Sequence, residues 1–416
     1  MQVLQINQSD VSGGAAIAGY RLHQGLLDAG IDSRLLVGNM QTDSDRVALA
    51  PISPLKENLL FRASNRLLNT NLSSDDLGLN YINISGSFDI PKHPFYKNAD
   101  ILNFHNLHTG YFNYLSIPKL TENKPAIFTL HDMWSFTGHC AYSFDCDRWK
   151  VGCGKCPYPN TYPEVKHDST WLEWKLKDWV FSRSNLTIVT PSRWLAEQSK
   201  ASMLRRFPIH HIPNGSDMSS YQPLDSGLSR RELGLPENKK ILLFGVESLK
   251  DLRKGGDLLL EALQRLPETL KSEIVLLTFG YGGEAIAASV GVPTLNLGYI
   301  SSDRIKAIAY SASDLFLFPT RNDNLPLVLQ ESMACGTPMV SFKIGGVPEL
   351  VRPDITGYLA QPEDARDFCN GIMHLLEDKE KLQQLRQNCR QIAVDEYSIE
   401  RQVKRYINLY HQVLER

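Results

Sequence analysis

Two carboxylates eight positions apart, Asp323 and Glu331, mark the stretch in which this sequence is best equipped for chemistry. The residues around Glu331 are mostly apolar, and a carboxylate in such surroundings is costly to bury unless hydroxyl or amide groups pair with it. Sugar hydroxyls are groups of that kind. The spacing therefore predicts a hydroxyl-binding site, and it leaves open the simpler interpretation that both acids face solvent.

The elements that must position these acids are a strand, a helix and a second strand. Residues 315–319 are all apolar, which is typical of a parallel strand covered on both faces. Cap-type side chains at 322–324 and Pro326 predict the start of a helix, and Gly336 before Pro338 predicts its end. The sequence PMVSF predicts the next strand. Open α/β sheets bind ligands where a strand feeds a helix, and the helix N-terminus favours an anion such as diphosphate.

This segment resembles the E-x7-E region of family four, the retaining, GT-B-fold glycosyltransferases that use nucleotide sugars. Glu331 matches the second acid of that region, and MACGTP matches the residues after it. Asp323 stands where the family usually has glutamate, which is one methylene longer. The resemblance implies that Glu331 bonds ribose hydroxyls and that Asp323 acts on the sugar ring. The donor-binding residues that it adds here are Asn324, Leu325, Pro326 and Leu327.

Length and charge restrict the class of protein. The chain has 416 residues, which favours two domains, and its net charge of −2 gives no indication of nucleic-acid binding. The N-terminus lacks the basic and apolar regions of a signal peptide, and no apolar run approaches the ~18 residues of a membrane span. We expect a soluble, cytoplasmic protein, with peripheral contact at the inner face of the membrane left open.

The N-terminal half opens as a strand–helix–strand unit with paired glycines, Gly13 and Gly14, between its first strand and helix. Such glycines let a ligand approach the backbone, although most glycine pairs only make turns. In the resembling family a glycine-rich loop here faces the donor phosphates and the acceptor. Further on, residues 54–72 predict an amphipathic helix with a basic face, which either covers the domain or docks on anionic lipid.

Two later strands run into loops that carry histidine. His105 and His108 follow one strand, and His131 and Asp132 follow the next. Histidine at the carboxyl end of a strand is placed to meet a ligand, but it can also be structural and bonded to the backbone. We favour the structural role for His105 and His108. His131-Asp132 resembles the HD element of the family, whose histidine contacts the donor sugar near the reacting carbon.

A cysteine-rich stretch follows, with the spacing C-x5-C-x6-C-x2-C. Four thiolates at such spacing could hold a structural zinc ion, but reduced thiols or two local disulfides are also compatible with it. The chemistry of the resembling family needs no catalytic metal. The cysteines concerned are Cys140, Cys146, Cys153 and Cys156.

A helix after Asp168 carries three tryptophans, Trp171, Trp174 and Trp179, among basic residues. An interfacial surface or a wall for the acceptor would use such a mixture. We predict instead that core packing accounts for these side chains.

The C-terminal half opens with the strand KILLFGV and a loop that contains Arg253 and Lys254. A lysine in a strand-to-helix loop can neutralise a departing diphosphate, the alternative being a solvated basic loop. The sequence RKG matches the phosphate-binding lysine element of the family, which assigns Lys254 that role. The preceding arginine of the family has no match here, and Lys250 or Arg253 is expected to substitute. By resemblance, backbone groups of Tyr299-Ile300 read the base.

The expected fold is α/β of the GT-B type, with two Rossmann-like doubly wound domains facing a cleft. Residues 1–214 would bind the acceptor, residues 215–397 the donor, and a helix within 398–416 would cross back to the first domain. The resemblance implies a retaining transferase that moves a hexosyl group from a UDP-sugar, with UDP-glucose as the common choice, to a polysaccharide acceptor. It implies no required cofactor, and related exopolysaccharide enzymes suggest a lipid-linked acceptor.

Two other functions stay open at this stage. The replacement at Asp323 and the missing arginine are compatible with a relative that binds nucleotide sugars or acts as a scaffold without turnover. A GT-B-type epimerase, which inverts the donor sugar without an acceptor, is the second. The lysine element and the MACG context favour transfer.

Overall fold

A computed structural model of the chain describes residues 1–51, 78–248, 251–283, 289 and 291–416. These residues form two compact units, one made of Met1–Pro213 with Gln402–Arg416 and the other of Asn214–Arg401. The amphipathic helix predicted over residues 54–72 and the predicted arginine substitute Lys250 lie outside the described residues.

The first unit is built on a parallel sheet, as the opening strand–helix–strand pattern predicts. Its strands in the described residues are β1 (Gln2–Ser9), β2 (Asp32–Asn39), β3 (Val47–Leu49), β4 (Ile101–Phe104), β5 (Ala126–Thr129), β6 (Leu186–Thr190) and β7 (Ile209–His211). Its helices there include α1 (Gly14–Asp28), α2 (Pro94–Asn98), α3 (Ile117–Leu120), α4 (Thr170–Phe181) and α5 (Arg193–Lys200). The strand order is β3-β2-β1-β4-β5-β6-β7, with Val3 of β1 paired to Ser33 on one side and Ile101 on the other.

The second unit repeats this architecture. Its helices in the described residues include α6 (Ser226–Glu232), α7 (Gly256–Gln264), α8 (Glu268–Lys271), α9 (Asp303–Ala312), α10 (Leu327–Ala334), α11 (Ala365–Glu377) and α12 (Lys379–Tyr397). Its strands there are β8 (Lys240–Ser248), β9 (Ile274–Tyr281), β10 (Thr294–Asn296), β11 (Leu315–Phe318), β12 (Met339–Phe342) and β13 (Gly357–Ala360). They are parallel in the order β10-β9-β8-β11-β12-β13. The predicted α/β class with two doubly wound sheets is confirmed.

Both sheets are buried by the helices that cover them, which explains their continuous apolar strands. All residues of β4, β5, β11 and β12 are buried, and the apolar side chains of the two units form separate cores. Apolar burial of this kind stabilises a fold by roughly 25 cal/mol per Å². The polar residues that follow these strands therefore lie at the carboxyl edge of a well-packed sheet.

The C-terminal helix α13 (Ile399–Leu414) packs on the sheet of the first unit through Gln402 and the residues after it. Asn103 in β4 donates a hydrogen bond of 3.1 Å to the Tyr410 hydroxyl, and the Tyr406 hydroxyl lies 2.9 Å from Thr129 Oγ1 in β5. The second unit ends at Arg401, so the predicted segment 398–416 divides between the units at that residue.

Two local predictions were wrong. The side chains at 322–324 do not cap α10, because Pro326 occupies the N-cap position and no side chain bonds the first turn. Core packing accounts for Trp174, but Trp171 is 56% exposed and Trp179 is 48% exposed.

In the described part of the chain, no helix combines the length and apolar character that a membrane crossing requires.

Candidate active site

The candidate site of the second unit lies at the carboxyl ends of β8 and β11, two neighbouring strands in the middle of the sheet. Strand order reverses there, since the chain proceeds from β8 to β9 on one side and reaches β11 on the other. In open α/β sheets such a switch point forms the crevice in which ligands bind. The loop after β8 carries Arg253 and Lys254, and the loop after β11 carries Asp323.

These three charged side chains are in direct contact. Lys254 Nζ donates to Asp323 Oδ2 at 2.5 Å, and Arg253 Nη1 donates to the same oxygen at 3.1 Å. Arg253 also donates to the Asn322 carbonyl at 2.9 Å and to Asp251 Oδ2 at 3.1 Å. The structure therefore brings together the basic element and the first acid of the acidic pair, which are 69 residues apart in sequence.

A glycine explains how the two loops approach each other. Gly255 has a φ of +72°, and a Cβ atom there would lie 1.9 Å from the Pro319 carbonyl oxygen. The loops are then joined through the Arg253 carbonyl, which accepts from Arg321 N–H at 2.7 Å and from Thr320 Oγ1 at 3.1 Å. Only glycine tolerates both the backbone conformation and the closeness of the second loop.

Burial and ion pairing shift the pKa values of Asp323 and Lys254 in opposite directions. Burial alone would raise the pKa of Asp323, but the nearby Lys254 and Arg253 hold it below its ordinary value. Burial, together with the charge of Arg253, lowers the pKa of Lys254, and Asp323 partly opposes that shift. Asp323 is therefore an anion at neutral pH that can only accept hydrogen bonds.

Glu331 lies on α10 and is only 3% exposed. The Tyr310 hydroxyl donates to its Oε2 at 3.3 Å. The alternative left open above, that both acids face solvent, is therefore wrong, because Asp323 is also only 8% exposed. Nearby, Asn322 Oδ1 is buried and has no hydrogen-bond partner among the described residues, which leaves an acceptor for a hydroxyl.

The residues predicted to read a base follow β10. Ile300 is buried, whereas Tyr299 is 45% exposed and stacks on Tyr281 with ring centroids 4.6 Å apart and 8° between the planes. Tyr281 ends β9 beside the glycines at 280, 282 and 283. The structure thus adds an exposed aromatic pair that the sequence did not reveal, because the two tyrosines are distant in sequence.

In the first unit, the glycine loop lies at the carboxyl end of β1. Gly13 has a φ of +88° and is the N-cap of α1, which begins at Gly14. The loop is held by the buried carboxylate of Asp10, which accepts from Thr42 N–H at 2.7 Å and from Gln41 N–H at 2.9 Å. This carboxylate joins the loops that follow β1 and β2.

The histidines of the first unit form two side-chain pairs at the ends of β4 and β5. His105 Nδ1 lies 3.0 Å from His131 Nε2, and His108 Nε2 lies 3.0 Å from Asp132 Oδ2. The Tyr162 hydroxyl lies 3.2 Å from His108 Nδ1. We expected backbone bonds for His105 and His108. That expectation was wrong, because both bond the side chains of the HD element, and all four residues line one small pocket.

Burial keeps the imidazoles of His105 and His131 neutral. It lowers the pKa of His131 to about 4, although Asp132 opposes the shift. Burial and the adjacent His131 hold the pKa of His105 well below its ordinary value. Burial would raise the pKa of Asp132, but His108 and other hydrogen bonds hold it below its usual range. The pocket therefore offers two neutral rings, those of His105 and His131, and the carboxylate of Asp132.

The four clustered cysteines are all free thiols. Gly138 N–H donates to Cys153 Sγ at 3.2 Å, and His139 Nε2 lies 3.2 Å from Cys156 Sγ. Burial raises the pKa of Cys140 to about 12 and that of Cys153 to about 11, which favours protonated thiols. The described residues present no group of three or more metal ligands in a binding arrangement. Structural zinc stays a prediction.

Comparison with known proteins agrees with this architecture. A sequence profile described as Glycosyltransferase Family 4 matches residues 12–220, and one described as Glycosyl transferases group 1 matches residues 225–392. A putative colanic acid biosynthesis glycosyl transferase, WcaC, of Escherichia coli (strain K12) is 29% identical over 376 residues, or 85% of each chain. A D-inositol 3-phosphate glycosyltransferase of Geodermatophilus obscurus is 33% identical over 186 residues, or 41% of each chain.

Solved structures share the fold. Sucrose-phosphate synthase from Thermosynechococcus elongatus matches with a TM-score of 0.71 at 19% identity, covering 100% of both chains. Anabaena HepE in complex with UDP-glucose matches with a TM-score of 0.67 at 16% identity, covering 99% of this chain and 100% of that one.

Proposed function

Since the chain belongs to glycosyltransferase family 4, we propose that it is a retaining enzyme that moves a hexosyl group from a UDP-sugar to a polysaccharide acceptor. The proposed donor is UDP-glucose. The reaction needs no metal or other cofactor, because the basic groups of the second unit can offset the charge of the leaving diphosphate.

The contact between Lys254 and Asp323 at the switch point of the second sheet carries the proposal. An ammonium has three N–H donors, and Asp323 accepts from one of them. The other donors can reach phosphate oxygens placed at the N-terminus of α10, where backbone N–H groups also favour an anion. Arg253, held by Asp251 and Asp323, adds a second positive charge beside that position.

The proposed step is a displacement on one face of the sugar. The bond between the anomeric carbon and the diphosphate oxygen breaks, and its electron pair leaves with the diphosphate. The acceptor hydroxyl oxygen bonds the same carbon from the same face, and its proton passes to the departing phosphate oxygen. Lys254 stabilises the charge that grows on the diphosphate as this bond breaks.

The other residues of the unit hold the donor. Glu331 accepts hydrogen bonds from ribose hydroxyls, and Asp323 accepts from hydroxyls of the sugar ring. The backbone at Tyr299-Ile300 reads the uracil, and the exposed Tyr281–Tyr299 pair offers an aromatic face against which a base can stack. In the first unit, His131 bonds the transferred sugar.

Thermal unfolding with UDP, ADP, GDP and a panel of UDP-sugars tests the donor. A ligand at about a hundred times its dissociation constant adds roughly 2.7 kcal/mol to the folded state. We expect stabilisation by UDP and by UDP-glucose, and loss of the UDP effect in Glu331→Ala. Glu268→Gln, on an exposed side chain of α8, is the matched control. Absence of stabilisation by every nucleotide would contradict the proposal.

Product analysis separates transfer from the other functions. With UDP-glucose alone, an epimerase would release a second UDP-hexose, whereas a transferase would release only UDP and a sugar product. A scaffold would bind UDP-glucose and leave it unchanged. Retention is checked by the anomeric configuration of the transferred sugar.

The proposed acceptor is lipid-linked, at the cytoplasmic face of a membrane. Its support is the relative named for colanic acid biosynthesis and an exposed face of α4 in the first unit. Trp171, Leu172 and Trp179 are 56%, 41% and 48% exposed. Lys175 is exposed on the same helix, and Arg183 lies 4.5 Å from the Trp179 ring centre. Such a mixture of aromatic and basic side chains fits an anionic lipid surface.

Co-sedimentation with vesicles tests this contact. We expect binding to vesicles that contain phosphatidylglycerol, weaker binding at high salt, and loss of binding in Trp171→Ser/Trp179→Ser. Equal binding by that variant, or no binding by the wild type, would contradict the membrane contact and leave the donor chemistry unaffected.

A further inference from the structure

The turn that follows His131-Asp132 in the first unit is held by one buried lysine of a neighbouring helix. Lys177 Nζ donates to the Trp134 carbonyl at 2.7 Å and to the Thr137 carbonyl at 3.1 Å. The Lys177 side chain lies on α4 and is 1% exposed, so water does not compete for these bonds. Buried carbonyl groups of a turn need a donor, and this lysine supplies one to both.

The same amino group contacts the ring of Trp134. Lys177 Nζ lies 3.8 Å from the ring centre, a distance at which a cation is attracted to the face of an indole. Trp134 Nε1 is buried and has no hydrogen-bond partner among the described residues, so the indole N–H group does not fix the ring there. The main chain and the ring of Trp134 are therefore both held by Lys177.

Trp134 connects Lys177 to the acid of the histidine pocket. The Trp134 N–H group donates to Asp132 Oδ1 at 2.8 Å, and the other carboxylate oxygen, Oδ2, lies 3.0 Å from His108 Nε2. The rings of Trp134 and His108 are 5.4 Å apart between centroids, and both residues line the pocket together with Asp132. A shift of the turn would therefore move the Asp132 carboxylate and one wall of the pocket.

Stability alone does not account for a charged pair at this place. Glu173 and Lys177 lie one turn apart on α4 with 3.8 Å between Oε1 and Nζ, and both side chains are 1% exposed. Replacement of such a pair by apolar residues of similar size is often neutral or stabilising. Apolar side chains cannot donate to the two carbonyls, however. What the lysine adds is therefore a fixed position for the turn.

We infer that Lys177 is a positioning residue, which holds the turn at residues 134–137 so that the Asp132 carboxylate keeps its place beside His108 during sugar transfer. The transfer in this statement rests on the proposed function, whereas the place of Asp132 rests on the contacts alone. In this arrangement Lys177 acts through Trp134 and touches no substrate.

Hydrogen exchange of single amides, followed by NMR, measures how firmly the turn is held. The variant Lys177→Met/Glu173→Leu removes the pair without leaving either charge unpartnered. The Trp134 amide reports its bond to Asp132, and the Ile188 amide in β6, which donates to the Pro208 carbonyl, reports the stability of the sheet. We expect the Trp134 amide to exchange at least about tenfold faster relative to the Ile188 amide than in the wild type. An unchanged ratio of the two rates would overturn the inference, because a merely structural pair would change both amides alike.

Glu173→Gln separates the lysine donors from the ion pair. It keeps Lys177 and its N–H groups, so the Trp134 amide should keep its protection relative to the Ile188 amide even in a less stable unit. A loss of Trp134 protection as large as in the double variant would overturn the inference, since the ion pair and not the donors would then hold the turn. This variant also keeps the test decisive if the double variant does not fold.

The catalytic readout is UDP release from UDP-glucose. We expect kcat to fall about tenfold in Lys177→Met/Glu173→Leu, the order of one hydrogen bond, while UDP affinity is unchanged. Lys119→Met, an exposed lysine on α3, is the control. A wild-type kcat in a double variant whose turn has loosened would overturn the inference. If the amides behave as expected but no nucleotide binds, the proposed function fails and the place of Asp132 still depends on Lys177.

Discussion

The two units place their candidate sites at the carboxyl ends of neighbouring strands in similar sheets, but the electrostatics of the two sites differ. In the second unit, Lys254 and Arg253 meet Asp323 at the ends of β8 and β11, so the site consists of paired charges. In the first unit, His105 and His131 meet at the ends of β4 and β5 as neutral rings. The contrast indicates how a common architecture supplies charge stabilisation in one place and directional hydrogen bonds in another.

The largest expected effect concerns a buried ion pair next to the histidine pocket of the first unit. Lys177 and Glu173 are each 1% exposed and 3.8 Å apart, and Lys177 Nζ donates to the Trp134 carbonyl at 2.7 Å and the Thr137 carbonyl at 3.1 Å. Lys177→Met leaves Glu173 buried without its partner. We expect the free energy of unfolding to fall by roughly 3–5 kcal/mol in urea titrations.

The double variant Lys177→Met/Glu173→Leu is the control for that experiment. It removes both charges and should recover part of the lost stability, because replacement of a buried pair by apolar residues is often neutral. If Lys177→Met has the same free energy of unfolding as the wild type, this pair does not stabilise the first unit.

The second effect is catalytic and belongs to the charged site. Lys254→Met removes the ammonium that we propose faces the leaving diphosphate. We expect kcat/KM for the UDP-sugar to fall about 10²- to 10³-fold, the usual effect of losing one preorganised charge-stabilising donor. Lys379→Met, an exposed lysine at the start of α12, should match the wild type. UDP release from the donor is the measurement, and equal rates for both variants would contradict the role.

Acidification should destabilise the first unit at a higher pH than the second. Burial, with Arg46 and Arg34 nearby, lowers the pKa of His23 in α1 from 6.5 to about 4. Its contribution to stability is therefore present above pH 6.5 and is lost as pH falls towards 4. This loss is about 2 kcal/mol between pH 7 and pH 5. Asp323, whose pKa is lowered, loses its contribution only below its ordinary value of 3.8.

Hydrogen exchange measured for each unit checks this difference. The first unit should lose protection between pH 7 and pH 5 before the second does, and His23→Gln should reduce the pH dependence of the first. Loss of protection in the second unit at a higher pH than in the first would contradict this difference.

The smallest effect concerns how the charged loops are held together. Gly234 and Gly255 have φ values of +67° and +72°, but only Gly255 would place a Cβ atom against another loop. Gly234→Ala should cost about 1 kcal/mol from backbone strain alone. Gly255→Ala should cost more and should weaken UDP binding. Equal losses in urea titrations, with equal UDP affinity, would show that loop contact does not position Lys254.

The sequence predicted the fold well, because long apolar strands and helix ends are local signals. The acidic pair, the lysine element and the strands around them could all be identified along the chain. The roles of Glu331 and Lys254 came from resemblance rather than from spacing. The sequence could not show that Lys254 and Asp323 touch, since that contact depends on the register of two strands distant in sequence.

The histidine pairs show the same limit more clearly. His105 was identified but expected to be structural, because its partners Gln5 and His131 are 100 and 26 residues away. The Tyr281–Tyr299 stack and the exposed tryptophans of α4 also depend on tertiary packing. Burial of a polar residue, which decides both its partners and its pKa, is a property of the fold and not of the local sequence.

The most direct test of the account is calorimetric titration of UDP into the wild type, Lys254→Met and His131→Asn. The account assigns the diphosphate of UDP to Lys254 and gives His131 no contact with UDP. We therefore expect UDP affinity to fall roughly ten- to hundredfold in Lys254→Met, the value of a charged hydrogen bond, and to be unchanged in His131→Asn. Wild-type UDP affinity in Lys254→Met, or its loss in His131→Asn, would contradict this division of roles.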